Sequence, residues 1–123
     1  KEISYIHAEG YPAGEMKHGP LALIENGLPV VCIVPSGSLF HKTISNIQEV
    51  IARGGKILMI TDDSSLQLES ENIWKIFRLP DVDSILETLI YTIPIQMLAY
   101  YTAVELGNDV DQPRNLAKSV TVE

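Results

Sequence analysis

Two short stretches of the sequence, PVVCIVP at positions 29–35 and GKILMIT at positions 55–61, are apolar at almost every residue and rich in β-branched side chains. Neither stretch alternates between apolar and polar residues, which is typical of strands that are covered on both faces of a sheet. The segment between them places apolar residues on one helical face, namely Phe40, Ile44, Ile47 and Ile51. The order strand, helix, strand predicts an α/β fold with a mostly parallel sheet flanked by helices on both sides.

The ends of the predicted helices are marked by residue type. We expect a serine to cap the helix after PSGS (35–38), and Gly54 with Gly55 to end it. The stretch IWKIFRLP (73–80) is a weaker candidate for a third strand. A long apolar segment from Asp83 to Leu106 predicts a helix that is kinked at Pro94 and buried on more than one face.

The first part of the chain predicts two short elements. SYIHAEGY (4–11) is aromatic-rich and followed by a proline, which favours a brief extended segment at a sheet edge. PAGEMKHGP (12–20) is bounded by breaking residues and predicts about two turns of helix that end before Gly19. His18 would then lie at a helix end.

Composition excludes several classes of protein. The 123 residues are 46% apolar, which fits one globular domain, and a net charge of −7 argues against a nucleic-acid or anionic-membrane binder. The long apolar segment contains Glu87, Gln96 and Glu105, which favours a buried helix over a membrane span. The single cysteine, Cys32, lies in an apolar run and predicts a buried thiol in a reducing, cytoplasmic compartment.

Polar residues follow the two predicted strands, at PSGS (35–38) and TDDSS (61–65). The carboxyl ends of parallel strands are where open α/β sheets bind ligands, so these residues could contact a small polar ligand. The alternative is that the serines cap helices or form turns, and the lack of a glycine-rich fingerprint favours that alternative.

Three side chains are candidates for chemistry, each with a plainer alternative. Lys118 could be a solvated charge at a chain end, or an amine held by its apolar neighbours and able to form a Schiff base. His18 could be a surface group or a proton-transfer group, because imidazole titrates near neutral pH. Glu2 could form a solvent-facing pair with Lys1. His7, Glu9 and His18 do not have the spacing of a metal site, so no metal is expected.

Two stretches, HAEGYPAGEMKHGPLALI (7–24) and DVDQPRNLAKSVTVE (109–123), closely resemble the C-terminal sugar-isomerase (SIS) domain of the glutamine-fructose-6-phosphate aminotransferases. The resemblance runs from Lys1 to Glu123, and the unpatterned terminal stretch is its most specific part. It implies a three-layer α/β/α SIS-type fold that lacks its first strand. Residues 1–107 would be a second SIS domain truncated at its N-terminus, and residues 108–123 an irregular tail that acts as a lid over the sugar.

The resemblance also implies a function in hexosamine biosynthesis. Enzymes of this family use ammonia from glutamine to convert fructose 6-phosphate to glucosamine 6-phosphate, without a cofactor. In that role Glu2 is the carboxylate base, His18 the ring-opening acid and base, and Lys118 the amine that attacks the open-chain ketone. The implied sugar-covering residues of the tail are Arg114, Asn115 and Ala117.

The implied partners follow from the same resemblance. They are a glutaminase domain, a first SIS domain that carries the phosphate-binding loop, and a second subunit of a homodimer whose active site His18 serves. By itself the chain is expected to bind sugar phosphate poorly and to turn over nothing. Two other hypotheses stay open from the sequence: a non-catalytic SIS module that binds a phosphosugar in a regulator, and a dimerisation module that uses the apolar helix.

Overall fold

The structure of the chain, a computed structural model, describes residues 1–114. Its elements in chain order are the 3₁₀ helices Ala13–His18 and Pro20–Leu23, strand β1 (Pro29–Ile33), helix α1 (Phe40–Ile51), strands β2 (Lys56–Thr61) and β3 (Ile73–Arg78), and helix α2 (Ser84–Glu105). They form two compact units, one of residues 10–91 and one of residues 1–9 with the chain from residue 92 onward. The predicted order of strands and helices, including the weaker third strand, is confirmed.

The sheet of residues 1–114 has three parallel strands in the order β1-β2-β3. The central strand β2 is covered on both faces, and its Ile57, Met59 and Ile60 are buried. The prediction that a strand is covered on both faces is confirmed for β2 and wrong for β1, where Val31 and Ile33 are 41% and 47% exposed. Alternate residues of β1 pack against the core, whereas no described element covers the opposite face of that strand.

Helix α1 packs its predicted apolar face onto the sheet. Its Ile47 and Val50 are buried in the same cluster as Ile57 and Met59 of β2, with Phe40, Ile44 and Ile51 partly buried against it. The expected serine cap is wrong, because the residue before the helix is Leu39 and no side chain caps it. The hydroxyl of Ser36 donates to Asp62 at the end of β2 instead.

The glycine pair after α1 ends the helix as predicted. Gly54 has φ of +85°, which a glycine adopts without strain, and its N–H donates to the carbonyl of Ile51 at 2.9 Å. A Cβ on Gly55 would lie 2.6 Å from Cγ1 of Val50. The absence of both side chains therefore lets the chain turn tightly from the helix into β2.

The expected extended segment at residues 4–11 is wrong. No strand is present there, and the chain instead makes a turn in which the N–H of Tyr5 donates to the carbonyl of Lys1 at 2.9 Å. Tyr5 has φ of +54°, whereas residues in a strand have negative φ. Of the residues in this stretch, Ser4 and Tyr5 belong to the turn.

Helix α2 has the predicted bounds, with Pro94 inside it. Asp83 precedes the helix and its carboxylate accepts the N–H of Ile85 at 3.0 Å, which caps the first turn. The prediction that several faces are buried is wrong for the described chain, since Ile85 is 82% exposed and Leu89 64% exposed. Tyr91 and Ala103 are the buried residues of α2, because residues 1–114 offer too little structure to cover the rest.

Candidate active site

Glu2, the predicted base, lies on the short turn from Lys1 to Tyr5 and is exposed. Buried Ser4 attaches this turn to α2, because its hydroxyl donates to the carbonyl of Ala99 at 3.1 Å. The turn requires positive φ at Tyr5, and a left-handed backbone costs a residue other than glycine roughly 1–2 kcal/mol. Such strain persists only where the surroundings fix the conformation, and it is common at functional sites.

Lys1, which the sequence offers as a partner for Glu2, makes an ion pair with Glu9. The ammonium of Lys1 donates to the carboxylate of Glu9 at 2.6 Å. This hydrogen bond, with the charge of Lys1, holds the pKa of Glu9 below its usual range. His7 lies on the other side of the same carboxylate, with 3.4 Å between Nε2 and Oε1. The Lys1 charge is therefore directed to Glu9.

His18 lies at the end of the first 3₁₀ helix, as the sequence predicts, and its side chain is exposed. Its Nδ1 lies 2.9 Å from a carboxylate oxygen of Glu15, one turn earlier. An ionised carboxylate only accepts hydrogen bonds, so this contact favours the tautomer that carries its proton on Nδ1. Nε2 is then the ring nitrogen able to take a proton from a substrate.

The segment after α2 returns to the turn that carries Glu2. Gly107, with φ of +71°, ends the helix, and the N–H of Asn108 donates to the carbonyl of Ala103 at 2.9 Å. The amide of Asn108 donates to the carbonyl of Ile3 at 3.2 Å. The carboxylate of Asp109 accepts the backbone N–H groups of residues 111 and 112, which closes a second turn.

Arg114, a predicted sugar-covering residue, contacts Tyr5 in two ways. Its backbone N–H donates to the Tyr5 hydroxyl at 2.8 Å, and its guanidinium carbon lies 3.9 Å from the centre of the Tyr5 ring. Sequence reasoning missed Tyr5. Its signal in the sequence was a tyrosine three positions after the predicted base, and the contact joins residues that are 109 positions apart.

Three of the predicted site residues, Lys118, Asn115 and Ala117, lie outside the described residues, as does most of the predicted tail. Glu2, His18 and Arg114 are described, and among them Arg114 is joined through Tyr5 to the turn that carries Glu2. The roles assigned to all six residues stay predictions.

A polar network lies where β1 and β2 end. The Asp62 carboxylate accepts the N–H of Ser36 at 2.6 Å and its hydroxyl at 2.9 Å, and the Tyr91 hydroxyl at 3.0 Å. The Tyr91 oxygen also accepts the N–H of Asp62 at 2.9 Å. Ser36 therefore joins the chain after β1 to the chain after β2, which is neither the helix cap nor the local turn that the sequence offered as an alternative. The signal for Tyr91 was a phenol hydroxyl on a largely apolar helix.

Neighbouring residues stabilise the loop after β2 in the same manner. The carboxylate of Asp63 accepts the N–H and hydroxyl of Ser65, both at 2.7 Å, and the N–H of Leu66 at 2.9 Å. The guanidinium of Arg78 donates to the carbonyls of Asp63 and Leu66. Asp63 and Ser65 of TDDSS thus build a turn.

Electrostatics in this network follow from its hydrogen bonds. Partial burial by itself would raise the pKa of Asp62, but the hydrogen bonds from Ser36 and Tyr91 outweigh it and hold that pKa below its ordinary value. Burial, followed by the hydrogen bond to Asp62 and its negative charge, raises the pKa of Tyr91. Burial also raises the pKa of the Cys32 thiol to about 12, so this thiol stays protonated at neutral pH.

The lowered pKa of Asp62 predicts a pH dependence of stability. A group whose pKa is lower in the folded state contributes stability above its unfolded pKa of about 3.9, and the contribution is lost as the pH falls through the folded-state value. We expect Asp62→Asn to lose about 1 kcal/mol of unfolding free energy at pH 7 and to show a smaller further loss between pH 7 and pH 3 than the unmodified chain. Urea unfolding followed by the fluorescence of Trp74 measures both.

The matched control for Asp62→Asn is Asp81→Asn, because Asp81 is exposed. That variant should keep the stability and pH dependence of the unmodified chain. Equal pH dependence in the Asp62 variant and the unmodified chain would show that the hydrogen bonds to Asp62 contribute nothing to folding.

Residues 1–114 contain neither a membrane-spanning helix nor a cluster of metal ligands. None of the helices there combines the length and the hydropathy that a membrane span requires. In the same residues no three His, Cys, Asp or Glu side chains come together as a metal site would need.

Known proteins share both the sequence and the fold of this chain. The SIS domain family matches residues 1–106. The isomerizing glutamine-fructose-6-phosphate aminotransferase of Mesorhizobium japonicum is 61% identical over all 123 residues, which span 20% of its length. Its counterpart from Sphingobium yanoikuyae is 58% identical over the whole chain and 79% of its own sequence.

A solved structure gives the same result for the fold. The C-terminal domain of glucosamine-fructose-6-phosphate aminotransferase from Francisella tularensis superposes with a TM-score of 0.83 at 45% identity, covering 89% of this chain and 31% of that one. The three parallel strands with flanking helices match its fold, so the expected SIS-type α/β fold is confirmed. The chain belongs to the SIS domain family and, within it, to the glutamine-fructose-6-phosphate aminotransferases.

Proposed function

We propose that this chain is the C-terminal part of an isomerase that makes glucosamine 6-phosphate from fructose 6-phosphate and glutamine-derived ammonia. The observation that carries the proposal is the 58% identity over the whole chain to a relative named as an isomerizing aminotransferase, with 79% of that relative covered. The full-length enzyme consists of this chain joined to a glutaminase domain and a first SIS domain. The chain spans about a fifth of the length of the relatives from Mesorhizobium and Brucella, which supports these additional domains.

The first step is opening of the sugar ring, which we assign to His18. Ring opening needs a group that removes the proton of the hydroxyl at C2 and returns a proton to the ring oxygen. The contact between Nδ1 and Glu15 at 2.9 Å supports this role, because it orients the imidazole and leaves Nε2 as the proton acceptor.

The second step is formation of an imine at Lys118. An uncharged amine attacks the C2 carbonyl of the open-chain ketose, and loss of one water gives the imine. Ammonia then adds to the same carbon and displaces the lysine amine, so the nitrogen of ammonia stays on the sugar and Lys118 is regenerated. The assignment of this amine to Lys118 is supported by its place in the terminal stretch DVDQPRNLAKSVTVE (109–123), which lies within the full-length match to the named relatives.

The third step moves a proton from C1 to C2, which we assign to Glu2. A carboxylate within hydrogen-bonding distance of both carbons can remove the C1 proton and return it to C2, which converts the ketose imine into the amino aldose. The exposure of Glu2, and its place within the full-length match to the named relatives, support this assignment.

The tail acts as a lid in this proposal. Arg114, Asn115 and Ala117 would cover the sugar and border the path of ammonia, which keeps water from hydrolysing the imine. The contacts of Arg114 with Tyr5 support a tail that begins close to the turn carrying Glu2.

The full-length enzyme is proposed to be a cytoplasmic homodimer in which His18 serves the active site of the neighbouring subunit. Exposed apolar residues along α2, such as Ile85, Leu89 and Tyr101, support a partner surface, since burying a large apolar side chain contributes about 1.5–3 kcal/mol. The first SIS domain would supply the phosphate-binding loop.

The proposal is tested by product formation. The full-length enzyme is incubated with fructose 6-phosphate and glutamine, and glucosamine 6-phosphate and glutamate are quantified by mass spectrometry. We expect one glucosamine 6-phosphate for each glutamate, and no product from the isolated chain. Glutamate release with fructose 6-phosphate left unchanged would contradict the proposal and favour a module that binds a phosphosugar without catalysis.

A further inference from the structure

We propose that Tyr5 is a positioning residue, whose side chain holds the start of the lid at Arg114 against the turn that carries Glu2. The inference rests on the proposed function, because it gives Tyr5 a role in bringing the lid and its Lys118 to the sugar. Tyr5 itself touches neither the substrate nor the reacting atoms in this role.

Two contacts of different kinds join Tyr5 to Arg114. The phenol oxygen accepts the backbone N–H of Arg114 at 2.8 Å, which fixes the position of the main chain. The guanidinium lies over the face of the ring, 3.9 Å from its centre, which fixes the direction of the arginine side chain by cation–π attraction. Both contacts come from one side chain, so one substitution can remove the hydroxyl alone and another can remove the hydroxyl and the ring together.

The backbone of Tyr5 shows that its direction is imposed by the fold. Among residues 1–114 it is the one residue other than glycine with positive φ, at +54°. Its N–H bonds to Lys1, and the preceding Ser4 is buried with its hydroxyl on Ala99 of α2. A strained conformation held from both sides is what a positioning role requires, since a residue with a purely passive role has no reason to keep it.

The chain on the other side of the contact is also held. The Asn108 amide bonds to the carbonyl of Ile3, and the Asp109 carboxylate closes the turn that leads to Arg114. The bond from Asn108 ends on the same short turn as Tyr5. The start of the lid is therefore attached to the Glu2 turn at two points, Ile3 and Tyr5.

The consequence for the reaction is geometric. Glu2 precedes Tyr5 by three positions and Lys118 follows Arg114 by four, and four residues of chain span at most about 14 Å. Tyr5 thus limits the region that the lysine backbone can reach relative to the base. An error of about 1 Å in such placement can lower a rate by about 10²-fold.

The experiment compares Tyr5→Phe and Tyr5→Leu in the full-length enzyme, with Tyr11→Phe as the control. The first variant removes only the hydroxyl, the second removes both contacts, and Tyr11 is an exposed tyrosine of the unit formed by residues 10–91. Hydrogen exchange of the Arg114 amide is measured without substrate. Glucosamine 6-phosphate formation, glutamine hydrolysis and the thermal midpoint are measured in parallel.

We expect the Arg114 amide to exchange about fivefold faster in both Tyr5 variants, because its acceptor is gone. Synthesis should fall by about 10²-fold in Tyr5→Leu and less in Tyr5→Phe, with glutamine hydrolysis and thermal midpoint unchanged. Tyr11→Phe should match the unmodified enzyme in every measurement.

Either of two results overturns the inference: unchanged exchange and synthesis in Tyr5→Leu, or a loss of synthesis that is matched by losses of hydrolysis and thermal midpoint. The second would show a role in folding alone. If the unmodified enzyme makes no glucosamine 6-phosphate, the proposed function fails, and exchange at Arg114 still decides whether Tyr5 holds the tail.

Discussion

Lys118→Ala in the full-length enzyme is expected to lower glucosamine 6-phosphate formation by more than about 10³-fold while glutamine hydrolysis continues. The reason is that alanine has no amine to form the imine, so the C2 carbonyl is never activated and ammonia must attack an unactivated ketone. Hydrolysis continues because it takes place in another domain. Product and glutamate are counted in the same reaction by mass spectrometry, which gives the ratio of the two activities directly.

The matched control is Lys42→Ala, because Lys42 is an exposed lysine within α1 and alanine is favourable in a helix. This variant should keep both activities and their ratio. Normal synthesis by Lys118→Ala would end the assignment of the catalytic amine. A joint loss of synthesis and hydrolysis would mean that the substitution damages the whole enzyme and would equally contradict the assigned role.

Glu2→Gln is expected to lower synthesis by about 10²–10⁴-fold, the range that a positioned general base contributes. Glutamine has nearly the shape of glutamate but cannot take a proton from C1, so imine formation at Lys118 should persist while proton transfer stops. The diagnostic measurement is exchange of the C1 hydrogen of fructose 6-phosphate with deuterated water. That exchange should be lost in Glu2→Gln.

Glu25→Gln serves as the control for this variant, since Glu25 is exposed in a turn of the other unit. It should exchange the C1 hydrogen at the normal rate. Undiminished exchange in Glu2→Gln would assign the base to another group and remove Glu2 from the mechanism.

The strand, helix, strand core could be predicted because its signals are local. Apolar runs at β1 and β2, the helical spacing through Ile47, and the glycine pair at 54 and 55 each report the environment of their own residues. Helix α2 was predictable in extent for the same reason. The exposure of α2 could not be predicted. Its apolar composition shows that the helix surface must be covered, but not which part of the molecule covers it.

The candidate site was predictable only in part. Residue types and the resemblance identify Glu2, His18 and Lys118, but the contact of Tyr5 with Arg114 joins positions 109 residues apart and leaves no periodic trace. The segment around Tyr5 suggested a strand, because aromatic residues are frequent in strands. Its positive φ comes from the bonds of the turn, which no single residue type signals.

Trapping the imine in the full-length enzyme tests the central claim most directly. The enzyme is mixed with fructose 6-phosphate without glutamine, reduced with borohydride, digested and analysed by mass spectrometry. The proposed mechanism predicts that the reduced sugar is attached to the Lys118 side chain, and that Lys118→Ala yields no adduct. Attachment to a different lysine, or no adduct on an enzyme that makes glucosamine 6-phosphate, would contradict it.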